Sequence, residues 1–229
     1  MEFKNFTYLI ILFFSLSAPL ALSFDKKVRY YTNLKYIFPA ILITATVFWV
    51  WDIQFTASGV WSFNSKYTLG MSIAGMPIEE WLFFIIIPYS CVFIYEVLKH
   101  YLKSFENTKL FWGLSIFLVF AFFLISYFFK NQAYTFLTFL LSGIYLGYTL
   151  VRNKLKTHIT NFYLAYIVSV IPFLAVNGIL TTLPVVEYNS AHILNIRIIN
   201  IPVEDFSYFF LMFLMVVTIY ESLKESKIF

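Results

Sequence analysis

Charge is what this chain has least of. Asp, Glu, Lys and Arg make up 12% of its 229 residues, about half of the ~25% usual for a soluble domain. There is a single cysteine, Cys91, so no intrachain disulfide can form. The three histidines, His100, His158 and His192, are scattered and no Cys pair exists, so metal-ligand spacing is absent. Only 7 glycines occur and none falls in a Gly-x-Gly-x-x-Gly pattern; a dinucleotide fingerprint is missing and a tightly bound flavin is not expected. The formal charge is +4, but the basic residues sit in short loops rather than along one surface, so no nucleic-acid partner is expected.

What fills the chain instead is apolar. Hydrophobic residues are 61% of the total, with 29 Phe and 17 Tyr, and the mean hydropathy is +0.79. Aromatic belts at the membrane interface account for part of the Phe and Tyr excess, and an apolar polyene or aromatic ligand would account for more. Seven segments read as membrane spans: roughly 4–24, 37–53, 78–98, 110–129, 132–151, 159–180 and 203–222. A helix needs about 20 apolar residues to cross, and the second segment is the shortest. The first resembles a cleavable signal peptide, but its positive charge follows the apolar run, so it is expected to stay as a helix. Lys26, Lys27, Arg29 and Lys35, then Lys99, Lys103 and Lys109, then Arg152, Lys154 and Lys156, then Lys224 and Lys227 mark alternate loops and the C-terminus. The positive-inside rule puts these in the cytoplasm and the N-terminus outside. The expectation is an all-α, multi-pass protein of the cell membrane.

The most informative feature is a duplication. Pro77-Ile78-Glu79-Glu80-Trp81 returns 125 residues later as Pro202-Val203-Glu204-Asp205-Phe206. The same offset aligns Phe14 with Phe139, Ser17 with Ser142, Lys27 with Arg152, Phe48 with Phe173 and Asn64-Ser65 with Asn189-Ser190. Spans one to three (residues 1–104) therefore match spans five to seven (132–229), with 105–131 as a linking helix. A shift of four spans is even, so both copies run in the same direction, as a parallel repeat.

Polar groups inside such segments are costly and mark function. The motif prolines suit a first helical position, and Glu79, Glu80, Glu204 and Asp205 then lie in the first turn, where the helix dipole favours acids. Asp52 and Asn177 close spans two and six, each 25 residues before its proline. They read either as polar helix ends meeting water or as members of the same site. The segments 53–76 and 178–201 are expected to pack over the bundle mouth, with Asn64, Ser65, Asn189 and Ser190 as turn residues. Tyr95-Glu96 and Tyr220-Glu221 lie about 25 Å farther along their helices at 1.5 Å per residue, and read as interfacial belt chemistry.

A duplicated Pro-x-Glu-(Glu/Asp) opening a membrane helix, set in three-span modules, resembles the lycopene cyclase domain in its fused tandem form. The likeness covers essentially the whole chain; Asp205 in place of a second Glu is a departure. The resemblance implies a linear carotenoid such as lycopene as substrate, membrane lipid as surroundings, and association with other carotenoid-pathway enzymes. It implies a reaction without net redox change. An acid protonates C2 of the end group, the C5–C6 double bond closes on C1, and a base removes a proton to leave a cyclic end, β if the proton comes from C6. Glu79 and Glu204 are expected as the core acids with Glu80 and Asp205 as partners. Pro77, Trp81, Phe84, Pro202, Phe206, Phe209, Asp52 and Asn177 are expected to line the substrate path. Aromatic faces stabilise a passing cation without quenching it. Which carboxyl donates, which accepts, and whether the motifs build one site or two stay open.

Other readings are weaker. A retinal protein needs a Lys in its last span, and 203–222 has none. A membrane prenyltransferase needs an Asp-rich cluster for Mg²⁺ and diphosphate. A structural subunit leaves the duplicated acids unexplained. A proton-coupled transporter or carrier of an apolar molecule remains the alternative, because intramembrane acids also mark ion pathways.

Overall fold

The computed structural model describes residues 2–102 and 105–226; Lys103 and Lys227 of the charge pattern lie outside the described residues. Seven helices are long and apolar enough to cross a membrane: α1 (Thr7–Leu22), α2 (Leu34–Ala57), α3 (Ile78–Tyr101), α4 (Thr108–Phe128), α5 (Ala133–Val151), α6 (Ile159–Thr182) and α7 (Val203–Ser226). The protein is a multi-pass membrane protein. All seven expected spans are present, and α2 is the one that differs most. It runs 24 residues, continuing past Asp52 to Ala57. The apolar run breaks at Asp52, but the helix does not, because that side chain points inward and is only 3% exposed. Asn177 is likewise inside α6, which continues to Thr182. Neither is a helix end that meets water.

The two halves interlock rather than sit side by side. The helices α3 and α7 touch at the centre; α1 packs on α3 and α5 on α7. The helix α2 packs on α7 as well as on its own α3, and α6 packs on α3. As a result α7 is enclosed, with every residue from 209 to 218 buried. The linking helix α4 lies against α5 and α6. Gly143 of α5 allows that approach: a Cβ there would stand 3.4 Å from Phe122 Cβ and 3.5 Å from the Phe123 ring. An alanine fits at ordinary contact distance, but a larger side chain does not. Gly143→Ala is expected to be neutral and Gly143→Leu to cost about 1–3 kcal/mol by overpacking, measured as thermal stability of the detergent-solubilised protein.

The connecting segments roof one end of the bundle, and they do so as a matched pair. Short strands β1 (Trp61–Phe63) and β4 (Val186–Tyr188) pair antiparallel across the halves. Asn64 N–H donates to Val185 O and Asn189 N–H donates to Val60 O, each 2.9 Å long. The Asn64 and Asn189 side chains accept from the backbone N–H two residues on, so both are the turn residues expected. Such reciprocal bonding is the mark of a twofold, isologous arrangement. Each segment then enters its helix by a tight hairpin, β2 (Ser72–Ile73) with β3 (Met76–Pro77) and β5 (Arg197–Ile198) with β6 (Ile201–Pro202). The central pairs Ala74-Gly75 and Ile199-Asn200 all have positive φ, as a two-residue type I′ turn demands. Pro77 and Pro202 therefore end a hairpin strand and immediately precede the first helical residue. Their acids still fall in the first turn.

The far end of the bundle corrects the expectation for Tyr95-Glu96 and Tyr220-Glu221. These side chains do not form an interfacial belt; all four are buried. They are also exchanged between the halves. Tyr95 donates to Glu221 at 2.6 Å and Tyr220 donates to Glu96 at 2.9 Å. Lys99 pairs with Glu221, and Lys224 lies 3.5 Å from Glu96. Asn33 Nδ2 donates to Glu96 at 3.1 Å, while its repeat counterpart His158 stands 3.5 Å from Glu221. A charged side chain withdrawn from water must be paired and hydrogen-bonded, and here each half supplies the partners of the other.

Candidate active site

Beneath the roof lies a cavity of about 300 Å³. It is bounded by α1, α2, α3, α6 and α7, by the start of α5 through Tyr134, and by the β1–β4 pair. Three carboxyl groups line it: Asp52, Glu80 and Asp205. The helical repeat explains why Glu80 and Asp205, rather than their neighbours, face inward. Residues three, seven and ten positions on share a helix face, and Phe83, Ile87 and Ser90 line the same wall as Glu80. Tyr208, Phe209 and Met212 do so with Asp205.

Each acid is held by phenol hydroxyls. Tyr8 donates to Glu80 Oε2 at 2.6 Å. Asp205 accepts on both oxygens, from Tyr134 at 2.7 Å and from Tyr188 at 2.8 Å. Tyr208 donates to Asp52 Oδ1 at 3.2 Å, and Asp52 Oδ2 is buried with no hydrogen-bond partner. Tyr188 lies in the roof. Burial, and then the charge of Asp205 beside it, push its phenol well above the ordinary range, so it stays a hydrogen-bond donor. The rest of the wall is largely apolar and aromatic, with Trp61, Phe63, Phe83, Phe173 and Phe209. Ring faces there meet a cation favourably and offer it no nucleophile.

Glu79 and Glu204 occupy a different place. Both are fully buried, and neither lines the cavity. Glu79 Oε1 accepts the N–H of Leu69 at 2.6 Å, and Glu204 Oε1 accepts the N–H of Leu194 at 2.6 Å. Glu204 also accepts from the Thr135 hydroxyl at 2.6 Å. Each thus ties its connecting segment to the helix start; the second oxygen of each is buried and unpartnered. In each motif the second acid faces the cavity and the first holds the roof.

Of the other residues expected on the substrate path, Asp52, Asn177 and Phe209 line the cavity. Pro77 and Pro202 shape the hairpins, away from it. Trp81 packs on Trp49 with tilted rings 4.9 Å apart and donates to Ile73 O. Phe84 packs behind the wall against Phe48 and Tyr208, and Phe206 packs on Phe173. The four tyrosines were not singled out in the sequence. Tyr8, Tyr134, Tyr188 and Tyr208 have no shared spacing, and only the general excess of Tyr hinted at them.

The cavity straddles the two halves. Asp52 and Asn177, Phe63 and Tyr188, Glu80 and Asp205, Phe83 and Tyr208, and Ile87 and Met212 are repeat counterparts, and all ten line it. The two motifs therefore open onto one cavity. Among the described residues no three His, Cys, Asp or Glu side chains are arranged to hold a metal ion. A family model described as lycopene cyclase matches residues 5–98 and 131–223. No curated protein and no solved structure matches the chain.

Proposed function

The chain belongs to the lycopene cyclase family, and from that premise we propose that it closes the linear end groups of lycopene into rings, β rings in the first instance, by proton-initiated cyclisation. The observation that carries this reading is three carboxyl groups on the wall of one aromatic-lined, apolar cavity. An alkene is a poor base. The acid that protonates it must hold its proton in a dry site, and the cation that follows must find neither water nor another nucleophile.

The roles divide by hydrogen bonding. Asp205 accepts from two phenols, one on each oxygen, and hydrogen bonds to the charged form of a carboxyl group favour that form. Asp205 is the carboxylate that faces the cation and removes the final proton. Glu80, with a single phenol donor, is the general acid that delivers a proton to C2. The C5–C6 pair of electrons then forms the C1–C6 bond, and the C6–H electrons become the new ring double bond as Asp205 takes that proton. One proton enters and one leaves, so the product is an isomer of the substrate. Asp52, on the same wall, serves to return the proton to Glu80 between turnovers. Glu79 and Glu204 act on the roof rather than on the substrate.

The test is expression in a host that accumulates lycopene, followed by separation of the pigments. Loss of lycopene to cyclic carotenes is expected. Unchanged lycopene, with the protein present in the membrane, would sink the cyclase reading and favour an apolar carrier.

A further inference from the structure

The cavity is too small for its substrate. A cavity of ~150 Å³ holds a six-carbon ring of benzene, so by that yardstick the ~300 Å³ here holds about a dozen carbons. That is one end group of a forty-carbon chain, and the rest must lie outside. On the roof side no lining residue is exposed: Trp61 is buried, and Phe63, Val186 and Tyr188 are half-buried. The lining residues that are exposed all lie on one side: Phe14 and Ala18 of α1 and Pro172 of α6. Phe14, 68% exposed, and Pro172 stand midway along their helices, at the depth of lipid rather than of water.

The counterpart seam in the second half is sealed. Phe139 and Gly143 are the repeat partners of Phe14 and Ala18. Both are buried, and both are covered by α4 through Phe122 and Phe123. The linking helix thus removes one of two related openings.

Resting on the cyclase reading above, we propose that the linear isoprenoid enters and leaves sideways from the lipid, through the seam between α1 and α6, with its unreacted tail held there beside Phe14, Ala18 and Pro172. The two ends of a molecule are then processed in separate visits through the same opening.

The test uses the whole protein in vesicles loaded with lycopene. Ala18→Trp fills the seam, while Phe13→Trp puts the same bulk on a neighbouring lipid-facing position that does not line the cavity. Conversion at least ten-fold slower in Ala18→Trp, with Phe13→Trp near wild type, is expected. A benzophenone side chain placed at position 14 and irradiated should retain pigment covalently on the protein, and one placed at position 13 should not. Full activity in Ala18→Trp, or equal labelling at the two positions, overturns the seam. Labelling at position 14 alone in a protein that leaves lycopene unchanged would uphold the seam and overturn the cyclase reading.

Discussion

Glu80→Gln and Asp205→Asn are each expected to slow conversion of lycopene by about 100-fold or more, the range that a positioned general acid or base supplies. Both changes keep size and hydrogen-bonding shape. The phenol of Tyr8 still finds an amide oxygen. Of the two phenols on Asp205, one still donates to the amide oxygen and the other accepts from the amide N–H with its own hydroxyl oxygen, so the protein should accumulate in the membrane as before. Glu79→Gln is the contrast. Its amide oxygen can still accept the Leu69 N–H that the carboxylate accepts at 2.6 Å, and activity within a few-fold of wild type is expected. The same holds for Glu204→Gln with Leu194. The readout is the initial rate of cyclic carotene formation at matched protein levels. The reverse ranking, with Glu79→Gln inactive and Glu80→Gln active, would move the chemistry from the cavity wall to the roof anchors.

Glu221→Leu should cost about 2–3 kcal/mol, because it removes a buried carboxylate that accepts charge-assisted and phenol hydrogen bonds, while its cation partner Lys99 is itself about a quarter exposed. That carboxylate accepts from Tyr95, pairs with Lys99 and faces His158. Its loss leaves the buried phenol of Tyr95 without its acceptor and removes the partner of the partly exposed Lys99. Glu96→Leu should cost less, since Lys224 is farther from it, at 3.5 Å, and partly exposed pairs contribute little. Tyr95→Phe, which removes one hydrogen bond, should cost about 1 kcal/mol. Thermal unfolding in detergent measures all three. Equal stability of Glu221→Leu and wild type would show that the exchanged contacts between the halves are dispensable.

Much of this architecture is readable in one dimension because its determinants are local. A run of about 20 apolar residues must be helical in lipid, since no water is there to satisfy its backbone. The offset of 125 is a matter of counting. The Asn64 and Asn189 turns and the first-turn acids follow from short-range backbone preferences, whereas the hairpin turns do not, since Ile199 stands at positive φ against the preference of a β-branched residue. Reading failed where side-chain direction was decided by a partner from elsewhere in the chain. Asp52 looked like the end of a span because the apolar run stops there, yet α2 continues, with Tyr208 from α7 beside it. Tyr95-Glu96 looked interfacial because it falls near a helix end, yet its partners come from the other half. The periodicity linking Glu80 to Phe83, Ile87 and Ser90 was present in the sequence. It does not say which of the two faces, that of Glu79 or that of Glu80, meets a cavity.

Seven membrane helices, two related halves and a pair of acidic helix starts are determined by the sequence itself, since each depends on hydrophobic length or on repetition. The tertiary structure decided which acid of each pair faces the cavity. It merged two motifs into one cavity and gathered four tyrosines that share no spacing. It also left one seam open while α4 closed the other. Those outcomes depend on packing between helices as much as 156 residues apart, as with Tyr208 and Asp52, and in lipid such packing rests on shape and paired polar groups rather than on hydrophobicity. A hydropathy pattern does not contain that information.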